Sequence, residues 1–358
     1  MVHHMLAIYA LGASPDQIQI HHDREIRVLL PAHSRDLSII ESLYENERFI
    51  DHLGELPLYH SYLTFFEKEI ASKGAIQTMV EYLFVADERA EAMMPHLFTG
   101  MWHPWIHLGY ALEFQQPLLM AEALAQIATH PTWGFETVLL PAEKIPRRNE
   151  NKRMIEIMDD MRKDEKLMAA PLALNLNKMF DIFDNAPNEM IKYAIQFTVS
   201  VETLDDRVAE LIETAAYCLA CSQRPGKAAK FDFFLLHGLT SSIFLSNIIY
   251  HPSLDLRTKV RLVEWKGRSD LIIWASCKCP KLYPSRLQDH GRNKTWDELI
   301  SWALNHPEED SHFSKSIRAL MHGERICHRR RSEGKTPRLM VDDEIWLKAG
   351  NMRMFILI

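Results

Sequence analysis

The chain has 358 residues, 47% hydrophobic and 25% charged, which is enough to bury a sizeable core in one large domain or two ordinary ones. Its formal net charge of −7 argues against nucleic acid as a partner, because nucleic-acid-binding proteins usually carry a basic field. Five cysteines are too few for a disulfide scaffold, and no uncharged apolar run reaches the roughly 18 residues that a membrane span needs. We therefore expect a cytoplasmic protein without a membrane partner.

Helical periodicity covers almost the whole chain. Ser14-Pro15-Asp16-Gln17 has the residues of a capping box with proline in the first turn, which predicts a helix from there to about Glu25. Further helical patterns follow at 35–48, 58–72, 74–86, 88–98, 104–114, 117–129, 150–163, 171–183, 186–199, 203–222, 231–250, 255–264, 267–276, 295–305, 313–326 and 342–350. Runs of alternating β-branched residues are missing, so no sheet is expected. The sequence predicts an all-α, single compact multi-helix domain over residues 1–358, with a hinge near the charged stretch 143–166.

Glycine is scarce, and its spacing excludes two common cofactor motifs. Only 13 glycines occur, and no two are arranged as Gly-x-Gly. A dinucleotide-binding fingerprint and a phosphate-binding loop both need such closely spaced glycines. A flavin or nicotinamide held in a Rossmann domain is therefore not expected.

Two segments combine histidines with a following apolar helical stretch, His3-His4 and 103–107 (His-Pro-Trp-Ile-His). Proline favours the first helical position, so His103 is the predicted N-cap and His107 lies one turn into the helix. Two such helices packed together could surround a transition metal with imidazoles. Adjacent helical residues point about 100° apart, so we expect at most one of His3 and His4 to bind. A capping His103, a hydrogen-bonded core His107 and a frayed chain start remain alternatives.

His237 lies in the middle of the apolar segment 231–245, followed by Gly238 and a cluster of hydroxyl residues. Glycine in a helix costs about 1 kcal/mol relative to alanine, which indicates a close approach by a bulky group. A neutral imidazole in such a place needs a partner, either a hydroxyl or a metal.

Lys266 lies between two apolar helical stretches in the segment 264–270. Burial lowers the pKa of a lysine, and a neutral amine can act as a base, form a Schiff base, or react with CO2 to give an anionic carbamate that binds a metal. The alternative is an ion pair with Glu264 or Asp270.

The acidic segment 308–310 precedes a helix that begins near His312 and Lys315. Acidic residues stabilise a helix N-terminus, so capping explains much of this segment. His312 and Lys315 are three residues apart and share a face, which also makes them candidates for a functional site.

Taken together, these stretches resemble the questin oxidase-like family. The resemblance extends over most of the chain and keeps the family's order. The stretches are 3–13, 103–111, 231–245, 264–268 and 310–320.

The resemblance implies an oxidoreductase of fungal secondary metabolism that opens the ring of an anthraquinone or related aromatic polyketide, with a Baeyer–Villiger-type outcome. The implied substrates are that small aromatic polyketide and O2. The implied cofactor is non-haem Fe(II), held by four histidines and a carboxylated lysine, and NADPH is a candidate co-substrate. The ligands that carry over are His4, His103, His107, His237 and Lys266.

Lys315 is the reserve candidate for the modified lysine, and His312 is the candidate catalytic residue, as a proton donor or a support for a ligand. A substrate pocket is expected to be lined by Trp102, Trp105, Tyr110 and Phe234. As with any cofactor enzyme, the oxidation chemistry would belong to the metal, and the protein would supply ligands, orientation and protons.

The start of the chain differs from the pattern of the family. Relatives usually carry a further histidine four residues ahead of the His4 equivalent, and this chain begins at Met1. Either His3 substitutes for that residue or the ligand is missing. The alternative function is therefore a catalytically inactive helical scaffold that binds an aromatic metabolite or a partner enzyme.

Overall fold

The computed structural model describes residues 1–29, 33–146, 152–172, 178–227, 229–289, 294–306, 309, 311–333, 339 and 344–352. Within these ranges the regular elements are helices and no β-strand occurs, which confirms the all-α prediction. The first part of the chain contains α1 Val2–Ala10, α2 Pro15–Glu25, α3 Leu37–Ser42, α4 Asn46–Asp51, α5 Tyr59–Lys73, α6 Ala75–Leu83, α7 Glu88–Met93, α8 His103–Phe114, α9 Pro117–Thr129 and α10 Glu136–Lys144. The second part contains α11 Met154–Met161, α12 Glu165–Ala169, α13 Lys178–Asn185, α14 Pro187–Ala194, α15 Leu204–Cys221, α16 Phe233–Ser242, α17 Phe244–Ile249, α18 Leu256–Ser276, α19 Ser285–Asp289, α20 Trp296–Asn305, α21 His312–Ser332 and α22 Glu344–Asn351.

The predicted start and end of α2 are confirmed. The backbone N–H of Gln17 donates to the Ser14 hydroxyl at 3.3 Å, and the backbone N–H of Ser14 donates to the Gln17 side chain at 2.9 Å. Pro15 occupies the first turn, where its missing N–H costs nothing. These local contacts satisfy donors that the helix cannot pair internally, so the boundary follows from the sequence alone.

The prediction of one continuous helix over 231–250 is wrong, because the chain bends at Ile243 between α16 and α17. The hydroxyl groups of Ser241 and Ser242 donate back to the carbonyls of Gly238 and Leu239, at 3.0 and 2.8 Å. Such bonds compete with the main-chain ladder and weaken a helix at that turn.

The prediction of a helix boundary at Gly267 is also wrong, because α18 continues through it without a break. A Cβ at this position would overlap with the ring of Phe197. Gly267 therefore serves the close packing of an aromatic ring on the helix rather than a turn. The same reasoning explains why the helix tolerates the entropic cost of a glycine in its interior.

The helices that carry the predicted site residues meet in space. Helix α1 contacts α8 and α21, and α16 contacts α8, α18 and α21. These helices come from distant parts of the sequence, and the buried apolar side chains around them form one continuous core. The prediction of a single compact domain is therefore confirmed for the described part of the chain.

No helix in the described ranges combines the length and the apolar character that crossing a bilayer requires. The hinge near 143–166 stays a prediction, because 147–151 lie outside the described residues and α11 and α12 occupy much of the rest. The start of the predicted helix 150–163, the middle of 171–183 and the start of 342–350 also lie outside the described residues.

Replacing Gly267 with alanine is expected to destabilise the protein by about 1–3 kcal/mol, because the added methyl group overpacks the Phe197 ring. Gly238→Ala is the matched control. It is also a helical glycine, and its Cβ would meet only a Trp102 ring atom at 3.9 Å. That control should gain up to about 1 kcal/mol from helix propensity. Urea unfolding of both variants measures the difference, and equal stabilities would contradict the packing role of Gly267.

Candidate active site

Five histidines from four helices form a row in which neighbouring rings are close. In order along the row they are His107, His3, His103, His237 and His312, and successive ring centroids lie 5.0, 6.0, 5.0 and 5.3 Å apart. We call this group the histidine row. Of the predicted ligands, the structure brings His103, His107 and His237 together here, and it adds His3 and the predicted catalytic residue His312.

The histidine row connects the interior with the outer part of the molecule. His107 and His237 are buried, with 7% and 2% of their surface exposed. His3, His103 and His312 are partly exposed. Buried and partly exposed rings thus occur along the whole row, and a small molecule would approach it at the partly exposed ones.

The turn before α8 has an unusual backbone conformation that orients His103. Gly100, Met101 and Trp102 have φ values of 54°, 53° and 58°, in the left-handed region that costs a non-glycine residue about 1–2 kcal/mol. At Gly100 a Cβ would also overlap with the ring of His130. The prediction of His103 as the N-cap is wrong by one residue, because Trp102 is the N-cap and His103 begins the helix. The left-handed turn at this position takes the place of a capping side chain.

Backbone carbonyls fix the orientation of two rings in the row. Nδ1 of His103 lies 2.7 Å from the carbonyl oxygen of Gly100, and Nδ1 of His237 lies 2.7 Å from that of Phe233. Since a carbonyl only accepts, each Nδ1 must carry the proton and donate it. The lone pair of each neutral ring is then on Nε2, the nitrogen available to a metal or a proton donor.

A carboxylate fixes the tautomer of a third ring, with the proton on Nε2 instead of Nδ1. Nε2 of His107 donates to the Glu122 carboxylate at 3.1 Å, so its lone pair is on Nδ1. That Nδ1 faces Nε2 of His3 at 3.1 Å. Carboxylate–histidine pairs of this kind are typical of metal-binding histidines, because the carboxylate fixes the tautomer and raises the basicity of the ring.

Burial and neighbouring charges keep three rings of the row neutral, those of His3, His103 and His237. Burial strongly lowers the pKa values of His3 and His237 and lowers that of His103 to about 4, because a charged imidazole would lose its hydration. Repulsion from neighbouring imidazoles and from the Lys315 ammonium acts in the same direction. These rings are therefore unprotonated near neutral pH, the state in which imidazole binds a metal.

The two candidate lysines have different surroundings. Lys266 is fully buried, forms an ion pair with Asp270, and its Nζ lies 4.3 Å from the centre of the Trp102 ring. Burial lowers the pKa of Lys266 and raises that of Asp270 to about 6. Lys315 lies close enough to the histidine row to repel charge on three of its rings, and its Nζ donates to the Ser311 hydroxyl at 3.2 Å. Lys315, the reserve candidate, lies on α21 about one turn after His312, and its charge acts on the row.

His4 lies in a neighbouring cluster rather than in the row. Its Nδ1 bonds to the Glu25 carboxylate, and its Nε2 lies 2.9 Å from Oε2 of Glu309. One ligand atom each from His4, His21 and Glu309 lie within 4.8 Å of one another. In the part of the chain that the structure describes, no other three histidine, cysteine or carboxylate side chains bring ligand atoms this close together, so the rings of the histidine row are neighbours in pairs.

Of the four aromatic residues predicted to line a pocket, Tyr110 contacts the row. Its ring stacks on that of His3, with centroids 5.4 Å apart. Trp102, the N-cap residue of α8, covers the ammonium of Lys266 instead. Tyr110 is itself buried and also meets the rings of His3 and Phe244, so it supports the row from within the core.

The other two predicted pocket residues have structural contacts. Trp105 is fully buried, and its indole N–H donates to the carbonyl of Ser241 at 3.0 Å. The ring of Phe234 lies 4.2 Å from Nζ of Lys178. Both residues support the packing of the helices around the row.

Sequence reasoning missed Glu122 and Glu309, and it preferred His4 to His3. The segments around the two glutamates carry no motif that marks them as partners of histidines. For His3 and His4, the sequence did indicate that one histidine of the segment belongs to the site. Helix geometry alone does not say which of the two rings faces α8. The partner is decided by packing between distant helices.

Comparison with known proteins finds relatives that match almost the whole chain. A model of the questin oxidase-like family matches residues 1–320. The questin oxidase of Aspergillus fumigatus is 34% identical over 365 residues, covering 98% of this chain and 81% of that protein. The Baeyer-Villiger monooxygenase dmxR6 of Cryptosporiopsis sp. is 35% identical and the Baeyer-Villiger oxidase mdpL of Emericella nidulans 34% identical, each covering 98% of this chain and 81% of the relative.

The relatives of this all-α chain are named oxidases and monooxygenases, so the chain is an oxidoreductase. The chain belongs to the questin oxidase-like family, as the sequence motifs predict.

Gly100→Ala is expected to destabilise the protein more than Gly12→Ala, which is the matched control. Both glycines have positive φ, 54° and 89°, so each alanine should cost about 1–2 kcal/mol of backbone strain. Only at Gly100 does the methyl group also overlap with a side chain, that of His130, which should add about 1–3 kcal/mol. Thermal unfolding of both variants measures the two costs, and equal losses would show that the His130 contact is unimportant.

Proposed function

We propose that this protein is a non-haem iron oxygenase that uses O2 to open the ring of an anthraquinone or related aromatic polyketide, with a Baeyer–Villiger-type outcome. The observation that carries this proposal is the histidine row, in which imidazoles from four helices lie side by side. The names of the relatives support the reaction class, since they include Baeyer-Villiger oxidases and questin oxidases.

The donors of the row suit iron. Imidazole nitrogen is a good ligand for iron, and three of the rings have one nitrogen tied to a carbonyl or carboxylate, which presents the other as a donor. The proposed ligands are His3, His103, His107 and His237. His3 thus takes the place that the sequence assigned to His4, because His3 is the residue that contacts His103 and His107.

The proposed fifth ligand is the carbamate of Lys315. The neutral amine of a lysine attacks CO2, forms a nitrogen–carbon bond and releases one proton, which leaves an anionic group with oxygen donors. Lys315 supports this assignment by its place beside the row, whereas Lys266 is already paired with Asp270. The carbamate would add negative charge that balances the iron.

When bound, iron would supply the activation of O2, and the chain's own residues would do the rest. Tyr110, itself buried, stacks on His3 and holds that ring in place. Glu122 holds the proton of His107 on Nε2. His312, whose ring lies 5.3 Å from that of His237 and 5.3 Å from that of Phe233, is the proposed proton donor to the opened product.

Purified protein is expected to contain about one iron at the row, and His237→Ala should abolish it. For the lysines, Lys315→Met should lose iron. The double variant Lys266→Met/Asp270→Leu should retain it, because that change removes both partners of the buried ion pair and leaves neither unpaired. Metal analysis of folded protein, with folding checked by circular dichroism, gives the answer. Retention of iron by Lys315→Met together with its loss from the double variant would return the assignment to Lys266.

The electron balance separates two forms of the reaction. Insertion of one oxygen atom with reduction of the other to water needs two electrons, which NADPH can supply, whereas insertion of both atoms needs none. We expect O2 to be consumed with an anthraquinone substrate in the absence of NADPH. Measuring O2 and NADPH consumption together tests this, and one NADPH oxidised per O2 would show the NADPH-dependent form.

The inactive helical scaffold is the second candidate, and the pairwise arrangement of the row is the observation that favours it. Protein that is free of iron after expression and reconstitution, yet still binds an anthraquinone, would support the scaffold and overturn the oxygenase.

A further inference from the structure

A second histidine group lies where α1 and α2 meet the segment that leads into α21. A ring nitrogen from each of His4 and His21 and an oxygen of Glu309 lie within 4.8 Å of one another. The two rings meet edge to face, with centroids 4.8 Å apart. The residues are only 2%, 2% and 1% exposed, so water has little access to the group.

The outer nitrogens of both rings are fixed by acceptors. Nδ1 of His4 is bonded to the Glu25 carboxylate, and Nε2 of His21 lies 3.2 Å from the carbonyl oxygen of Leu304. In a neutral imidazole, these acceptors take the single N–H, so the lone pairs are on Nε2 of His4 and Nδ1 of His21. Metal-binding histidines show this arrangement, with the other ring N–H given to a carboxylate or a backbone carbonyl.

The inner nitrogens lack hydrogen bonds although both are buried. Nε2 of His4 and Nδ1 of His21 have no hydrogen-bond partner. The 2.9 Å contact of His4 Nε2 with Glu309 Oε2 brings the two atoms together without the direction of a hydrogen bond. A buried polar atom without a partner costs about 1–3 kcal/mol, so a group that binds both nitrogens and the carboxylate would remove two such costs at once.

The carboxylate of Glu309 is held in place by the start of α21. Its Oε2 accepts from the backbone N–H of Ser311 at 2.9 Å, and its Oε1 accepts from the backbone N–H and hydroxyl of Ser314 at 3.0 and 3.2 Å. A carboxylate fixed in this way needs no rearrangement to act as a ligand. Two imidazoles and one carboxylate are a donor set that zinc and other divalent first-row metals accept.

We propose that His4, His21 and Glu309 bind a divalent first-row transition metal such as Zn²⁺, at a site separate from the histidine row. The metal ties α1 and α2 to the start of α21. The position of α1 determines where His3 lies, and the position of α21 determines where His312 and Lys315 lie. The site therefore holds two histidines of the row, His3 and His312, in position. This inference does not rest on the proposed oxygenase activity.

The competing arrangement has no metal and a protonated His4 between the carboxylates of Glu25 and Glu309. Burial, the largest single influence, lowers the pKa of His4, but the attraction of these two carboxylates outweighs it and raises the pKa. That arrangement gives Nε2 of His4 a charged partner but leaves Nδ1 of His21 without one. The two arrangements differ in metal content and can be separated by experiment.

The test uses the full chain with the row disabled by His103→Ala/His237→Ala, so that only the second site can bind. After chelator treatment, this protein is titrated with Zn²⁺, and with Co²⁺ as a visible spectroscopic probe. We expect one equivalent to bind, a rise in the melting temperature, and a cobalt spectrum typical of nitrogen and oxygen ligands. Adding His21→Gln should weaken Zn²⁺ binding at least tenfold and remove the rise in melting temperature.

His22→Gln is the matched control, because His22 is the next residue in α2, is partly exposed, and its side chain bonds to Asp23 rather than to the second site. It should bind Zn²⁺ as the parent does. Glu309→Gln, which keeps the shape of the side chain, should weaken binding as His21→Gln does. Equal Zn²⁺ binding with and without His21, or no binding by the folded parent protein, would overturn the second site. Loss of iron from the intact protein with retention of this Zn²⁺ site would overturn only the proposed function.

Discussion

A neutral buried imidazole has one N–H to place, and where that proton goes decides what the other nitrogen can do. In the histidine row the acceptors are largely backbone groups. His103 donates to the carbonyl of Gly100 and His237 to that of Phe233, each from the turn that precedes the ring. The protein therefore needs no additional side chain to set these tautomers. The chemistry of the row depends on this constraint, because it turns the Nε2 atoms into donors for a ligand.

The strained turn before α8 is part of the same arrangement. The left-handed conformation at Gly100, Met101 and Trp102 aims the Gly100 carbonyl at Nδ1 of His103. It also directs Trp102 over the ammonium of Lys266, away from the row. Strain of this size persists only where surrounding packing holds it, and here the His130 ring packs against Gly100. The turn thus separates the buried ion pair of Lys266 from the neutral histidines.

Most of the fold could be predicted because helical periodicity and capping are local properties, as the capping box at Ser14 shows. The site could be predicted in part. His103, His107 and His237 stand out in apolar segments, where an imidazole needs a partner. The choice between Lys266 and Lys315 could not be made, because it depends on which neighbour each amine meets. Asp270, four residues after Lys266, was one of two candidate ion-pair partners, and the unbroken helix α18 brings it to the same face as Lys266.

His3 and His4 show how one short segment can serve two sites. Neighbouring residues on a helix point about 100° apart, so a helix lying between two groups of residues sends one ring to each. His3 faces His107 and Tyr110, whereas His4 faces Glu25 and Glu309. Helix α21 also lies between the two groups, because Glu309 precedes it and Lys315 lies in its first turn. Any shift of α1 or α21 therefore changes both groups together, and contacts that fix His4 also determine the geometry around His3.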